Sequence, residues 1–486
     1  MHILIERGEN LPVHLVLGNT LGWEDQFIRK EGETNVYLIH TNLSRQMEVY
    51  GEDSPKSSVW VDKTILDIDK GKIVEVVLSW PDKKLHFERE EVEKEIQKEG
   101  EERKTEIRWV VKEGSPETEF EEDEFENLLG SLSSLDATGV VDPKKYEELG
   151  LDKPNYSCQI KLEDGKERKI TASRTDPSKD AYLIVDERRD VIYQLSSFKF
   201  EEVFRKGGEL FSLKGPDLDK EKIKEILITV EKRQYKFLKD GESWSLQEPN
   251  IQLEIKEDTL KDIASEFASL EFDDFAQGDK DSFGLSSPLN SLVVKTETGK
   301  KHSLRLGERA KSVEGNYVLL DDEDTVYVLS KSDVEEFFPE DREIFNLSLT
   351  DISSWELKKM VVQRRGEQMT FNKIEEEWKV QRDGREIEAD EEKIEDFIDK
   401  ITGLEGKSFT FTKRPLGSEE AELIISLEER EGRKSQILFG ESSDGMRLLR
   451  VDDKNFSYLL NEEEFKDLLK KLEEFEKPQQ PEDSEQ

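Results

Sequence analysis

The sequence predicts an α+β protein made of tandem repeated units, each mostly antiparallel β-sheet with one main helix and one short helix. Three observations predict it. Trp109, Trp244 and Trp378 open similar short strands and stand 135 and 134 residues apart. An apolar stripe at helical spacing follows each of them. The remaining segments alternate apolar and polar residues between turn formers, as half-buried antiparallel strands do.

The helical stripe reads i, i+3, i+7, i+10 in every copy. It runs Phe125, Leu128, Leu132, Leu135 in the first, Leu260, Ile263, Phe267, Leu270 in the second, and Ile394, Phe397, Ile401, Leu404 in the third. In the second unit, strands are expected near 223–230, 235–238, 243–246, 291–298, 302–306, 317–320 and 326–329. Asp240-Gly241 and Thr298-Gly299-Lys300 supply hairpin turns. Tyr193, Tyr327 and Tyr458 fall in matching late strands. Leu306-Gly307 matches Phe439-Gly440, and Gly150-Leu151 with Pro154 matches Gly284-Leu285 with Pro288. The third copy keeps Leu416-Gly417 at that place and loses the proline.

A partial copy precedes these. Leu17-Gly18, Phe27-Ile28 and Val36-Tyr37 reproduce Leu306-Gly307, Tyr317-Val318 and Val326-Tyr327. The expected division is therefore a C-terminal half-unit at 1–58 and repeat units at 59–206, 207–341 and 342–476. A disordered tail is expected at 477–486. Phe87 and Trp109 stand 22 apart, against 7 for Phe237–Trp244 and Phe371–Trp378. The excess, a charged insertion at 88–106, is expected to be a solvated loop or an extended hairpin. Without its front half, the N-terminal segment should leave apolar surface and a sheet edge open, and be more protease-sensitive than 210–476.

Composition narrows the function classes. Lys and Arg number 73 and Asp and Glu 114, a net charge of −41. Such a chain is a poor binder of nucleic-acid backbones or anionic membrane surfaces. The single cysteine, Cys158, permits no intrachain disulfide and no cysteine-built metal site. It reads as an ordinary small strand residue, with no histidine beside it to activate a nucleophile. No apolar stretch reaches the ~20 residues of a membrane-spanning helix.

No phosphate loop, HExxH or Gly-x-Ser-x-Gly motif occurs. None of the five histidines lies within four residues of another, which excludes a helical two-histidine metal face. His14 and His302 read as surface strand residues. The acidic runs at 121–124, 273–274 and 321–324, and Asp279-x-Asp281, offer oxygen ligands of the kind Ca²⁺ takes. They read as solvated hairpin ends and helix N-termini, where acids favour the dipole. The repeated aromatics Trp109, Trp244, Trp378, Tyr193, Tyr327 and Tyr458 are expected to be packing anchors. The competing reading makes the tryptophans binding platforms. Trp60 and Trp355 lie near unit junctions and are expected to cement them. No cofactor or metal is expected.

The Trp-x-Leu/Val strands with their helices, the Gly-Leu-x-x-Pro turns, the Leu-Gly strand ends and the 341–345 junction, in this order, resemble the bacterial family called domain of unknown function 4340. The resemblance covers nearly the whole chain. It implies an envelope protein with an N-terminal membrane anchor and an extracytoplasmic body, often beside ABC-type or gliding-motility-like transport components. The family has no recognised catalytic residues, so none is carried over. The chain departs from the pattern by beginning in mid-unit without an anchor, which raises the expectation of a longer natural protein. The expected function is a non-enzymatic scaffold or binding subunit of an envelope assembly with protein partners, periplasmic or anchored in the full-length protein and cytoplasmic if the chain is complete as written. The alternative is a carbohydrate- or peptide-binding array, with an enzyme third.

Overall fold

The computed structural model describes residues 2–7, 10–47, 62–93, 105–176, 179–185, 188–231, 233–364, 366–387, 390–411, 416–452 and 454–473. Contacts divide the chain into two compact units. One is Met1–Ser212 with Lys311–Val313, and the other is Leu213–Ala310 with Glu314–Gln486. Strand makes up 46% and helix 20%, so sheets dominate the architecture.

The second unit shows the repeat most plainly. Its first sheet has eight strands, all paired antiparallel. The hairpin Ile223–Val230, Arg233–Asp240 and Ser243–Glu248 joins the meander Asn290–Thr296, Lys301–Arg309, Gly315–Leu320 and Val326–Ser330 through pairing of Ile223–Val230 with Asn290–Thr296. These are the seven expected strands, most of them longer by a few residues, although the fourth ends at Thr296 rather than 298. An eighth, Asp274–Ala276, pairs with Val326–Ser330 and was not expected. All three of its residues are buried, so no alternation betrays it. The third repeat, in the same unit, repeats the order in a nine-stranded sheet.

The first unit holds an eight-stranded sheet of the same plan and a four-stranded sheet at its N-terminus. The charged insertion lengthens a hairpin. Lys84–Glu93 pairs with Thr105–Glu113 from His86↔Glu113 out to Glu93↔Thr105. Residues 94–104 lie outside the described residues, as do Trp60 and the expected tail 477–486.

Each main helix has 12 residues: Glu122–Ser133, Glu257–Ala268 and Glu391–Thr402. Acids fill each first turn, where the helix dipole favours them. Three members of each apolar stripe face the core from the helix. The fourth (Leu135, Leu270, Leu404) is buried beyond the helix end, because the chain leaves the helix before the i+10 position. Phe125 meets Phe87 of the sheet at 4.2 Å between centroids, and Phe397 meets Phe371 at 5.9 Å. Burying each such side chain contributes roughly 1.5–3 kcal/mol.

Two of the sequence motifs are halves of one contact. The turn at Gly284-Leu285 packs onto the strand end at Gly307. A Cβ added to Gly307 would lie 2.3 Å from the Phe283 carbonyl oxygen and 3.0 Å from Leu285 Cδ2. Gly284 itself has φ +72°, a conformation that suits glycine. In the third repeat Leu416 approaches Gly440 in the same way.

In the N-terminal four-stranded sheet Leu17 is buried, at 5% exposed, while other apolar side chains stay open. Trp23 is 81% exposed, and Val36, Tyr37 and Leu38 lie between 44% and 60%. Among the described residues, no helix is long and apolar enough to cross a membrane.

Candidate functional site

The recurring aromatics lie inside. Trp109, Trp244 and Trp378 are 7%, 4% and 9% exposed. Glu122 and Glu257, each at the first residue of its helix, accept a hydrogen bond from the Trp109 and Trp244 backbone N–H at 3.3 Å. The carboxylate thus ties the helix start to the tryptophan strand. Cavities of about 200 and 140 Å³ adjoin Trp109 and Trp244, edged by Lys70, Arg89 and Glu126 in one and Lys220, Lys239 and Lys261 in the other. With so little of either indole exposed, the tryptophans offer no open platform.

Tyr193, Tyr327 and Tyr458 are buried as well. Tyr327 stacks on Phe272 at 4.0 Å and donates to Glu323 at 3.0 Å. Tyr458 donates to the Ser348 carbonyl at 3.3 Å and accepts from Lys454 at 2.6 Å. Burial, with Asp351 and Asp452 nearby, pushes the Tyr458 phenol up, and burial pulls the Lys454 ammonium down. Trp355 is 70% exposed, so it cements no junction.

Two polar clusters escaped the sequence reading. The first sits inside the second unit. Asp341, buried at the start of the helix Asp341–Ile344, accepts from Tyr235 at 2.8 Å, from Arg233 at 2.5 Å and from Ser408. Phe345 and Phe409 pack against Tyr235 and against each other. Desolvation in this aromatic shell and the adjoining Asp341 charge raise the Tyr235 phenol above its ordinary range.

The second cluster lies on the eight-stranded sheet of the first unit. Glu75 and Glu88 are direct register partners on adjacent strands, and His86 lies two residues before Glu88 on the same face. His86 Nε2 lies 3.1 Å from Glu75 Oε1 and 3.4 Å from Glu88 Oε1. Lys161, opposite Glu75 on the other side, donates to Glu75 Oε2 at 3.2 Å. Among the described residues this is the one group of three acidic, histidine or cysteine side chains close enough to share an ion. Only strand register brings it together, and the spacing of histidines gives no hint of it.

The other sequence candidates separate. His14 is exposed and contacts Glu31 at 2.6 Å. His302 is 6% exposed, against the expectation of a surface residue. The hairpin bends its ring onto Asp321 at 2.9 Å, and Asp321 also accepts from the Ser303 N–H. Asp452 plays the same part in the third repeat, accepting from Ser435 and Gln436. Glu122–Glu124 open a helix, as expected. Asp274 is fully buried rather than solvated, because it lies on the unexpected eighth strand. Cys158 is buried in the strand Tyr156–Leu162, and burial pushes its thiol up to about 12.

No curated protein matches the chain. Among solved structures, a DNA polymerase sliding clamp from Pseudomonas aeruginosa aligns at 8% identity over 80% of this chain and 91% of that one, with a TM-score of 0.12. A putative DNA polymerase III beta subunit from Eubacterium rectale aligns at 12% identity over 79% and 90%, also with a TM-score of 0.12. At that score neither says anything about this fold or its activity. Three consecutive stretches, residues 1–154, 142–288 and 277–423, match one family. With most of its length matched in tandem, the chain belongs to the family described as Domain of unknown function (DUF4340).

Proposed function

We propose that this chain is a non-enzymatic, multi-unit scaffold or binding subunit of a bacterial cell-envelope transport or motility assembly, acting outside the cytoplasm. The observation that carries the reading is the exposed apolar strand region of the N-terminal sheet. Trp23, Val36, Tyr37 and Leu38 are each between 44% and 81% exposed there, and exposed apolar side chains mark partner binding where they cluster. The repeated aromatics support it, because they serve packing in every copy and leave faces and edges free for contact. The net charge of −41 suits a long β-rich chain that must not associate with itself. The envelope setting and ABC-type partners rest on the family resemblance.

Affinity capture from bacterial membranes with the full chain as bait tests this. Transport components are the expected catch, reduced when Trp23 and Tyr37 are both changed to Ser. A catch without transport components counts against the envelope assembly. The alternative, a carbohydrate- or peptide-binding array, draws on the cavities beside Trp109 and Trp244. Defined glycan or peptide binders that are lost in a folded Trp244→Ala chain would favour it.

A further inference from the structure

We propose that Glu75, His86 and Glu88 form a binding site for a divalent metal ion of the zinc class, held between two strands of the first unit. The chemistry of the donors comes first. One imidazole nitrogen and two carboxylate oxygens are a ligand set that zinc and its neighbours accept, and three protein ligands leave one coordination position open.

Geometry agrees. Bonds of about 2.0–2.1 Å in a tetrahedron place ligand atoms about 3.3–3.4 Å apart. His86 Nε2 stands 3.1 Å from Glu75 Oε1 and 3.4 Å from Glu88 Oε1, and all three ligand atoms lie within 4.8 Å of one another. Nε2 is itself buried and, despite this proximity, makes no aligned hydrogen bond among the described residues. Close approach without a hydrogen bond suits donors arranged around a shared cation.

The surrounding charges leave the site to these three groups. Lys161 binds the other oxygen of Glu75, Oε2, and so turns Oε1 toward His86. Lys112 on the neighbouring strand is engaged by Glu90 at 2.5 Å. Glu75 and Glu88 stand directly opposite each other across the strand pair, where like charges repel unless something positive lies between them.

The chain carries its own control. In the second repeat the same register positions hold Glu225, Lys236 and Leu238, with Lys295 in the place of Lys161. There Glu225 lies 3.6 Å from Lys236 and 4.0 Å from Lys295, an ordinary cross-strand ion-pair row. In the third repeat the positions hold Lys359, Thr370 and Asn372, opposite Glu428. A sheet of this plan therefore needs neither the histidine nor the second glutamate. The first repeat differs from the second by the two residues that turn a salt-bridge row into a ligand triad. Such a site would exist whether or not the chain acts as a scaffold.

The test uses the full chain and zinc(II) alone, by calorimetric titration, with cobalt(II) absorption reporting coordination geometry. The paired change His86→Lys with Glu88→Leu copies the second repeat and should fold, which circular dichroism checks. One zinc per chain, weakened about 100-fold or more in this variant and in His86→Ala, is expected. Equal binding by wild type and variants, or none by wild type, overturns the proposal. Should the variants misfold, the wild-type imidazole resonances decide, since the chain has five histidines. The His86 signal must shift on zinc addition, and an unmoved signal overturns the site.

Discussion

Tyr235 donates a hydrogen bond to Asp341 at 2.8 Å, across 106 residues of chain. The bond joins a strand near the start of the second repeat to the helix at its end. Arg233 and Ser408 complete the set around the same carboxylate.

Asp341→Ala leaves a buried phenol and a guanidinium without their shared acceptor. The Arg233 side chain is 43% exposed and can turn to water, so the cost is that of the lost buried hydrogen bonds, about 1–3 kcal/mol, and the urea midpoint of the second unit should fall. Tyr235→Phe removes one hydrogen bond and should cost about 1–2 kcal/mol. The double variant should lose less than the two singles together, because the residues share one interaction. Additive losses would show that the pair is not coupled.

Arg447 sets a pH dependence in the third repeat. It is 4% exposed, bonds Glu462 at 3.0 and 3.1 Å and Glu422 at 2.8 Å, and lies over the Phe465 ring at 3.6 Å. Its hydrogen bonds hold the Glu462 carboxyl below the usual carboxylate range. A lowered folded-state value stabilises above the unfolded value, and that stability is lost as pH falls through the folded one. Arg447→Met should therefore be less stable than wild type at pH 7, with the gap narrowing below pH ~4. Unfolding curves taken at both pH values decide it, and a gap constant with pH would exclude the ion pair as its source.

Cys158 should be silent in the folded chain. Burial pushes its thiol up to about 12, so almost no thiolate exists at pH 8. A chromogenic disulfide reagent should find no thiol in native protein and one in denaturant. The sign of the linkage also follows. A raised thiol value costs the fold stability as pH climbs past the ordinary thiol range near 9. Rapid native labelling at pH 8 would contradict the burial.

Gly307→Ala should destabilise the second repeat by about 1–3 kcal/mol, the usual cost of overpacking. The obstacle is the Phe283 backbone carbonyl, 2.3 Å from the new Cβ. Gly440→Ala should cost less, since the nearest atoms there belong to the Leu416 side chain at 3.0 and 3.1 Å. Denaturation midpoints in the reverse order would refute this account.

Much of the fold was legible because repetition averages out local ambiguity. The recurrence of Trp109, Trp244 and Trp378 marked the strands and helices that each copy must build. Alternation of Ile226, Ile228 and Val230 marked a sheet with one buried face. Strand Asp274–Ala276 was invisible because both of its faces are covered. The stripes of four overran their helices because Leu135, Leu270 and Leu404 are buried for a different reason, in the stretch after each helix where the chain pairs with Leu66, Gly215 and Leu349 in turn.

The amino-acid order by itself determined the repeat, its sheet-rich character, the helix faces and the acidic surface, since these depend on periodicity and composition along the chain. Tertiary structure alone decided which side chains meet. Glu75 and Glu88 are unremarkable among 114 acids until hairpin register sets them opposite each other beside His86. Tyr235, Asp341 and Ser408 become one cluster only through long-range packing. Register and packing join residues far apart in sequence, and no local pattern records which partner a strand will take.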